Sequence, residues 1–185
     1  MQHVYKLNLP ELNTILDNSF ILPTIVNIKN NYKILKPLDG IVRKEYLNIQ
    51  NYAFNYALVF LKCNGESGKI HKDGNDNAMT TWGINFISGG LSKMEYWDDS
   101  QIIQSDVIVD EAYSQTTRII VNTPATYTYM MPPGAYLINT HVAHRATGYD
   151  SRIAFSLRSA DAQDKKWDSV VTSFEPLIDQ TYTGI

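Results

Sequence analysis

From Tyr56 to Arg158 the chain is a succession of short strand-forming runs, each closed by glycine, proline or asparagine. Ala57 to Lys62 reads as a buried strand, and Asn64 to Gly68 as a turn. Lys69 to Asp73 is short and extended, and Gly74 to Asn77 is a loop. Strands follow over Thr80–Ile87 and Ser92–Trp97, separated by Ser88, Gly89 and Gly90. Gln101–Asp110 and Thr117–Val121 are expected to pair. Thr126–Met131 leads through Pro132, Pro133 and Gly134 into a strand over Ala135–Ala143, and Arg152–Arg158 closes the series. Roughly seven or eight short strands without alternating helical periods exclude repeated strand–helix units and predict a β-sandwich or barrel.

The flanks read differently. Leu9, Leu12, Ile15 and Leu16 have helical spacing after Pro10, which predicts a short helix over Leu9–Asn18, and a second helix is expected over Val42–Tyr56. Trp167, Val170, Val171 and Phe174 share one helical face that ends before Pro176. The expected organisation is one domain over 1–185: helical support over 1–56, a β core over 57–158, and a C-terminal helix and tail over 159–185. A composition 44% hydrophobic and 19% charged suits a sizeable core and excludes a disordered chain. A net charge of −3 argues against a broad nucleic-acid-binding surface. Cys63 is the one cysteine, so no internal disulfide forms. No signal peptide is visible at the N-terminus and no apolar run is long enough to span a bilayer, so the expected location is cytoplasmic.

His71 and Asp73 stand two residues apart in an extended run, so their side chains point to the same face. An imidazole and a carboxylate on one face can grip one metal ion. A second histidine from the distant Tyr136–His144 segment completes a two-His-one-carboxylate set with open positions opposite, the arrangement of non-haem Fe(II) oxygenases. His141 and His144 are both available. They differ by three, so a regular strand turns only one of them inward. His3 lies outside any motif and reads as structural.

His71-x-Asp73, the Pro133-Gly134 turn, the Asn139-Thr140-His141 segment and the strand bounded by Arg152 and Arg158 together resemble the Fe(II)- and 2-oxoglutarate-dependent oxygenases, in particular small hydroxylase-like members from bacteria and their viruses. The likeness covers Ala57 to Arg158. It implies a double-stranded β-helix, a jelly-roll or cupin-like barrel, with supporting N- and C-terminal helices. It implies Fe(II) on His71, Asp73 and His144, with His144 favoured because the family's distal ligand stands at a strand end before the arginine strand. It also implies 2-oxoglutarate as cosubstrate and O2 as oxidant. Arg152 is the expected anchor for the distal carboxylate of 2-oxoglutarate, because a guanidinium fork grips a carboxylate through two parallel hydrogen bonds. Arg158 is its competitor, and in relatives acting on alkylated nucleic acid both arginines contact the cosubstrate. Ala154 stands where many relatives carry a hydroxyl, so that partner must come from elsewhere.

By the same pattern Thr80, Trp82, Ile84 and Phe86 face the cavity, with Trp82 walling the cosubstrate pocket, and Met94 and Tyr96 line the substrate pocket. The turn Trp97-Asp98-Asp99 and the loop Gly74–Asn77 border the mouth. The activity implied is hydroxylation of a peptidyl or free amino acid side chain, so the expected partner is a small molecule or peptide. The alternatives are a nucleic-acid dealkylating or base-oxidising member, against which the net acidity and the absence of a Lys/Arg cluster weigh, and a cupin-like or structural jelly roll without 2-oxoglutarate.

Overall fold

A computed structural model describes residues 2–20, 32–62, 67–73, 81–109, 115–159 and 166–184. The order begins with β1 (Val4–Leu7), α1 (Leu12–Ile15), β2 (Tyr32–Leu35), β3 (Asn48–Ile49), β4 (Tyr52–Ala53) and β5 (Tyr56–Lys62). It continues with β6 (His71–Asp73), β7 (Trp82–Gly89), β8 (Ser92–Trp97), β9 (Ile102–Val109) and β10 (Gln115–Val121). The series ends with β11 (Tyr127–Met131), β12 (Gly134–Asn139), β13 (Ala143–Gly148), β14 (Arg152–Arg158) and α2 (Trp167–Phe174).

Twelve of these strands form two six-stranded sheets, ordered β1-β12-β7-β14-β5-β2 and β11-β8-β13-β6-β10-β9, and every pairing is antiparallel. The chain changes sheet at each step from β5 to β8 and again from β11 to β14. Two runs that wind alternately through facing sheets make a jelly roll, the double-stranded β-helix expected.

One apolar layer lies between the sheets. Val4, Ile87, Tyr136 and Ile138 of the first sheet pack with Met94, Tyr96, Tyr129 and Met131 of the second. A second layer covers the other face of the first sheet. There Trp82, Ile84, Phe86, Leu137, Phe155 and Leu157 pack against Leu12 and Ile15 of α1 and Val170 and Phe174 of α2. The period-2 split of β14 therefore falls as expected: Phe155 and Leu157 go under the helices, and Arg152, Ala154, Ser156 and Arg158 turn toward the second sheet. Trp97, Ile119 and Ala143 form a smaller cluster on the outer side of the second sheet.

Several expectations fail. The helix over Val42–Tyr56 does not form. In its place are a single 3-10 turn over Lys44–Tyr46 and a small hairpin of β3 and β4. Gln50 and Asn51 turn that hairpin with φ of 52° and 64°, the left-handed pair that a two-residue loop matched to strand twist requires. The helix over Leu9–Asn18 shortens to the one turn of α1, and residues 4–7 are a strand on the edge of the first sheet, so the described part of the first 56 residues is not a helical support. The long strand over Ala135–Ala143 is two strands in different sheets. β12 stops at Asn139, the chain crosses through residues 140–142, and β13 runs on to Gly148. The expected loop Gly74–Asn77, Thr80 and Cys63 lie outside the described residues. Among the described residues no helix is long and apolar enough to cross a membrane.

α2 is held by Phe174, which is fully buried against Trp82 and Tyr52 with ring centroids 5.7 Å from each. Phe174→Ala is expected to lower unfolding stability by about 3–5 kcal/mol, read as a shift in the urea midpoint at unchanged slope. A loss under about 1 kcal/mol would mean that α2 is not part of the cooperative core.

Candidate metal centre

Period-2 alternation on β6 puts His71 and Asp73 on the inner face of the second sheet, with Lys72 outward on Asp99 at 2.8 Å. β13 lies beside β6 with His144 in register opposite His71. Directly opposed residues share a face, and the two imidazole centroids are 4.4 Å apart. One donor atom from each of His71, Asp73 and His144 lies within 4.8 Å of the others. His141 is exposed at the sheet crossing and stands outside this cluster.

Both histidines are oriented alike. His71 Nδ1 is 2.8 Å from the Lys69 carbonyl and His144 Nδ1 is 2.9 Å from the Val142 carbonyl. A carbonyl accepts only from N–H, so Nδ1 carries a proton in each ring and Nε2 is the nitrogen that can be offered to a metal. Two imidazole nitrogens and a carboxylate oxygen suit a divalent transition ion.

Arg158 reaches across from the first sheet to fix the carboxylate. Its Nη2 meets Asp73 Oδ2 at 3.2 Å, its Nε donates to Ser156 Oγ at 2.8 Å, and its Nη1 donates to Thr140 Oγ1 at 3.1 Å and to the Trp82 carbonyl at 3.4 Å. The Asp73 backbone N–H is tied to the Thr140 carbonyl at 2.8 Å. Burial alone would raise the Asp73 carboxyl, but the His71 hydrogen bond and the Arg158 charge outweigh it and hold the group far below its usual range. Burial also pushes His71 down, yet contact with Asp73, 3.3 Å from Nε2, leaves it raised. His144 is driven down to about 4 by burial first and by His71 second.

Arg152 stands at the other end of β14, 5% exposed, with its Nε buried and unpaired. Among the described residues no hydrogen bond or ion pair reaches its guanidinium, and burial lowers it to about 10. Asn85 on β7, opposite Ser156 and on the same face, also has a buried Oδ1 without a partner among the described residues. Tyr96 is fully buried, 5.9 Å from the His144 ring by centroid, and stacks at 4.8 Å on His3. Burial holds its hydroxyl well above the usual phenol range, so it stays protonated. Met94 packs in the same layer.

Trp82 does not wall this site. It packs against Tyr52, Phe54 and Phe174 on the opposite face of the first sheet. Gly83 faces the centre instead, and a Cβ there would meet Arg158 Nε at 2.7 Å. The hydroxyls of Ser156 and Thr140 serve Arg158. Sequence reasoning missed Gly83 and Thr140; a glycine inside an otherwise apolar strand was the available signal of a close approach.

No protein-family model and no curated protein matches the sequence. Solved structures give distant likenesses. A cupin superfamily protein from Desulfitobacterium hafniense is 13% identical over 78% of this chain and 94% of its own, at a TM-score of 0.32. The E. coli protein ycfD is 9% identical over 85% of this chain and 57% of its own, at 0.35. An Fe(II) form of HppE is 16% identical over 76% and 62%, at 0.26. The chain thus spans less than two thirds of the last two. At these scores the likenesses say nothing of what the chain does, and the fold is read from its own strand order.

Metal binding must displace the proton that Asp73 favours on His71. Divalent-ion affinity, measured by anaerobic Co(II) titration, is expected to fall about tenfold per pH unit below the His71 titration. His144 is neutral until about pH 4 and adds no second proton above it. His144→Ala is expected to abolish binding and His141→Ala to preserve it; the reverse result would remove His144 from the ligand set.

Proposed function

We propose that the chain is an Fe(II)- and 2-oxoglutarate-dependent dioxygenase that hydroxylates a peptidyl or free amino acid side chain. The observation that carries this reading is Arg152. A buried guanidinium without a counter-ion costs several kcal/mol unless an anion joins it. Arg158, at the far end of the same strand, already spends its donors on Asp73, Ser156, Thr140 and the Trp82 carbonyl. A small dicarboxylate with one end near the His71–Asp73–His144 donors and the other on Arg152 answers both needs.

His71, Asp73 and His144 would hold iron, and iron with 2-oxoglutarate and O2 supplies an oxidative decarboxylation coupled to hydroxylation of a substrate carbon. The chain's own residues do the rest. Arg158 keeps Asp73 ionised and aimed, and Gly83 leaves room for that arm. Lys69 and Val142 carbonyls hold both imidazoles in the metal-binding tautomer. Arg152 orients the cosubstrate, and the Met94–Tyr96 wall keeps bulk water away from that side of the site.

The test is anaerobic melting with Fe(II) and 2-oxoglutarate added separately and together. Both are expected to raise the melting temperature, and 2-oxoglutarate only in the presence of metal. A ligand at a hundredfold its Kd adds about 2.7 kcal/mol. Arg152→Ala is expected to remove the 2-oxoglutarate increment and keep the metal increment. A response to metal alone would point to a cupin-like metalloprotein, and no response to either would point to a structural jelly roll.

A further inference from the structure

One row of side chains crosses the inner face of the second sheet. Tyr127 on β11 is opposite Tyr96 on β8, Tyr96 is opposite His144 on β13, and His144 is opposite His71 on β6. The row continues beyond the metal donors: His71 is opposite Arg118 on β10, and Arg118 is opposite Asp106 on β9. Members of such a row share a face, with neighbouring Cβ atoms about 4.5–5.5 Å apart. The alternate residue Ile119 is buried on the outer side with Trp97, which fixes Arg118 on the side of His71.

Arg118 and Asp106 are both exposed. They stand in register with opposite charges, yet they make no ion pair with each other. Among the described residues Arg118 has no ionic partner at all, and Asp106 accepts only from the Gln104 amide, at 3.2 Å to each oxygen. Among the described residues several charges nearer the centre are matched: Asp73 by Arg158, Lys72 by Asp99, and Glu95 by Lys93 and Arg145. The row thus ends in an open cation one strand from a metal donor and an open anion one strand further.

We infer that Arg118 and Asp106 receive the α-carboxylate and α-ammonium of a free amino acid, whose side chain then extends back along the row toward His71 and His144. This rests on the dioxygenase reading and narrows it, choosing the free amino acid over the peptidyl one. A guanidinium takes a carboxylate through two parallel N–H bonds, and a carboxylate next to it takes the ammonium. Neither end of that grip is present in a mid-chain peptide residue.

The test uses protein loaded anaerobically with Mn(II) and 2-oxoglutarate, titrated by calorimetry with each of the twenty free L-amino acids. Any that binds is compared with its own N-acetyl and carboxamide forms. At least one free amino acid is expected to bind, and each blocked form more weakly by about tenfold or more, the loss of one charge-assisted contact. Arg118→Gln is expected to weaken the free form by a similar factor, and Arg118→Lys to recover part of the loss. Asp106→Asn should weaken the free form and leave the N-acetyl form unchanged. Binding by none of the twenty, equal binding of blocked forms, or full affinity in Arg118→Gln would each overturn the inference while Mn(II) and 2-oxoglutarate still bind. Failure of that loading in the unaltered chain would overturn the dioxygenase reading, and the inference with it.

Discussion

The contact between Arg158 and Asp73 is the tie on which the centre depends. It joins the last strand of one sheet to a three-residue strand of the other. β6 is too short to hold its own place by ladder hydrogen bonds alone, and its outward residue Lys72 is anchored only at the surface. A carboxylate as buried as Asp73 costs several kcal/mol without a counter-charge, and breaking such a pair typically costs about 3–5 kcal/mol. The same bond therefore secures the strand, ionises the ligand and aims its free oxygen toward the two imidazoles. Gly83, Ser156 and Thr140 make sense only as consequences: one clears the path of the guanidinium and the others absorb its remaining N–H groups.

Much of this was legible in the sequence where period-2 alternation runs unbroken. β14 shows it best, since Arg152 and Arg158 both point inward and Phe155 and Leu157 both lie under the helices. His71 and Asp73 share a face for the same reason. Reading failed where parity was carried through a break. Parity does not carry from one strand to the next, so Gly83 and not Trp82 turns inward on β7. The strand from Ala135 was extended through residues 140–142, where the chain in fact changes sheet. That change, not alternation along one strand, is what separates exposed His141 from buried His144. β1 carries little local signal because it is four residues long and the edge of β12 supplies its hydrogen bonds. The hairpin of β3 and β4 was missed because Gln50 and Asn51 are not the glycine pair that usually announces such a turn.

The two arginines of β14 divide the labour of the site. Six residues at about 3.3 Å each put their Cα atoms on the order of 20 Å apart, so their side chains enter the inter-sheet space from opposite ends of β14. Arg158 is saturated by protein acceptors and acts on the ligand set. Among the described residues Arg152 has none, and an unpaired buried charge is tolerated in a fold only where something else compensates it. Hydrogen-bond accounting, more than strand position, distinguishes the arginine whose donors are spent from the one whose donors are open among the described residues. The same accounting extends to Arg118, whose directly opposite acid leaves it unbridged. An exposed pair gains little from closing in water, so leaving it open sacrifices almost no stability and keeps a cation one row-step and an anion two row-steps from His71.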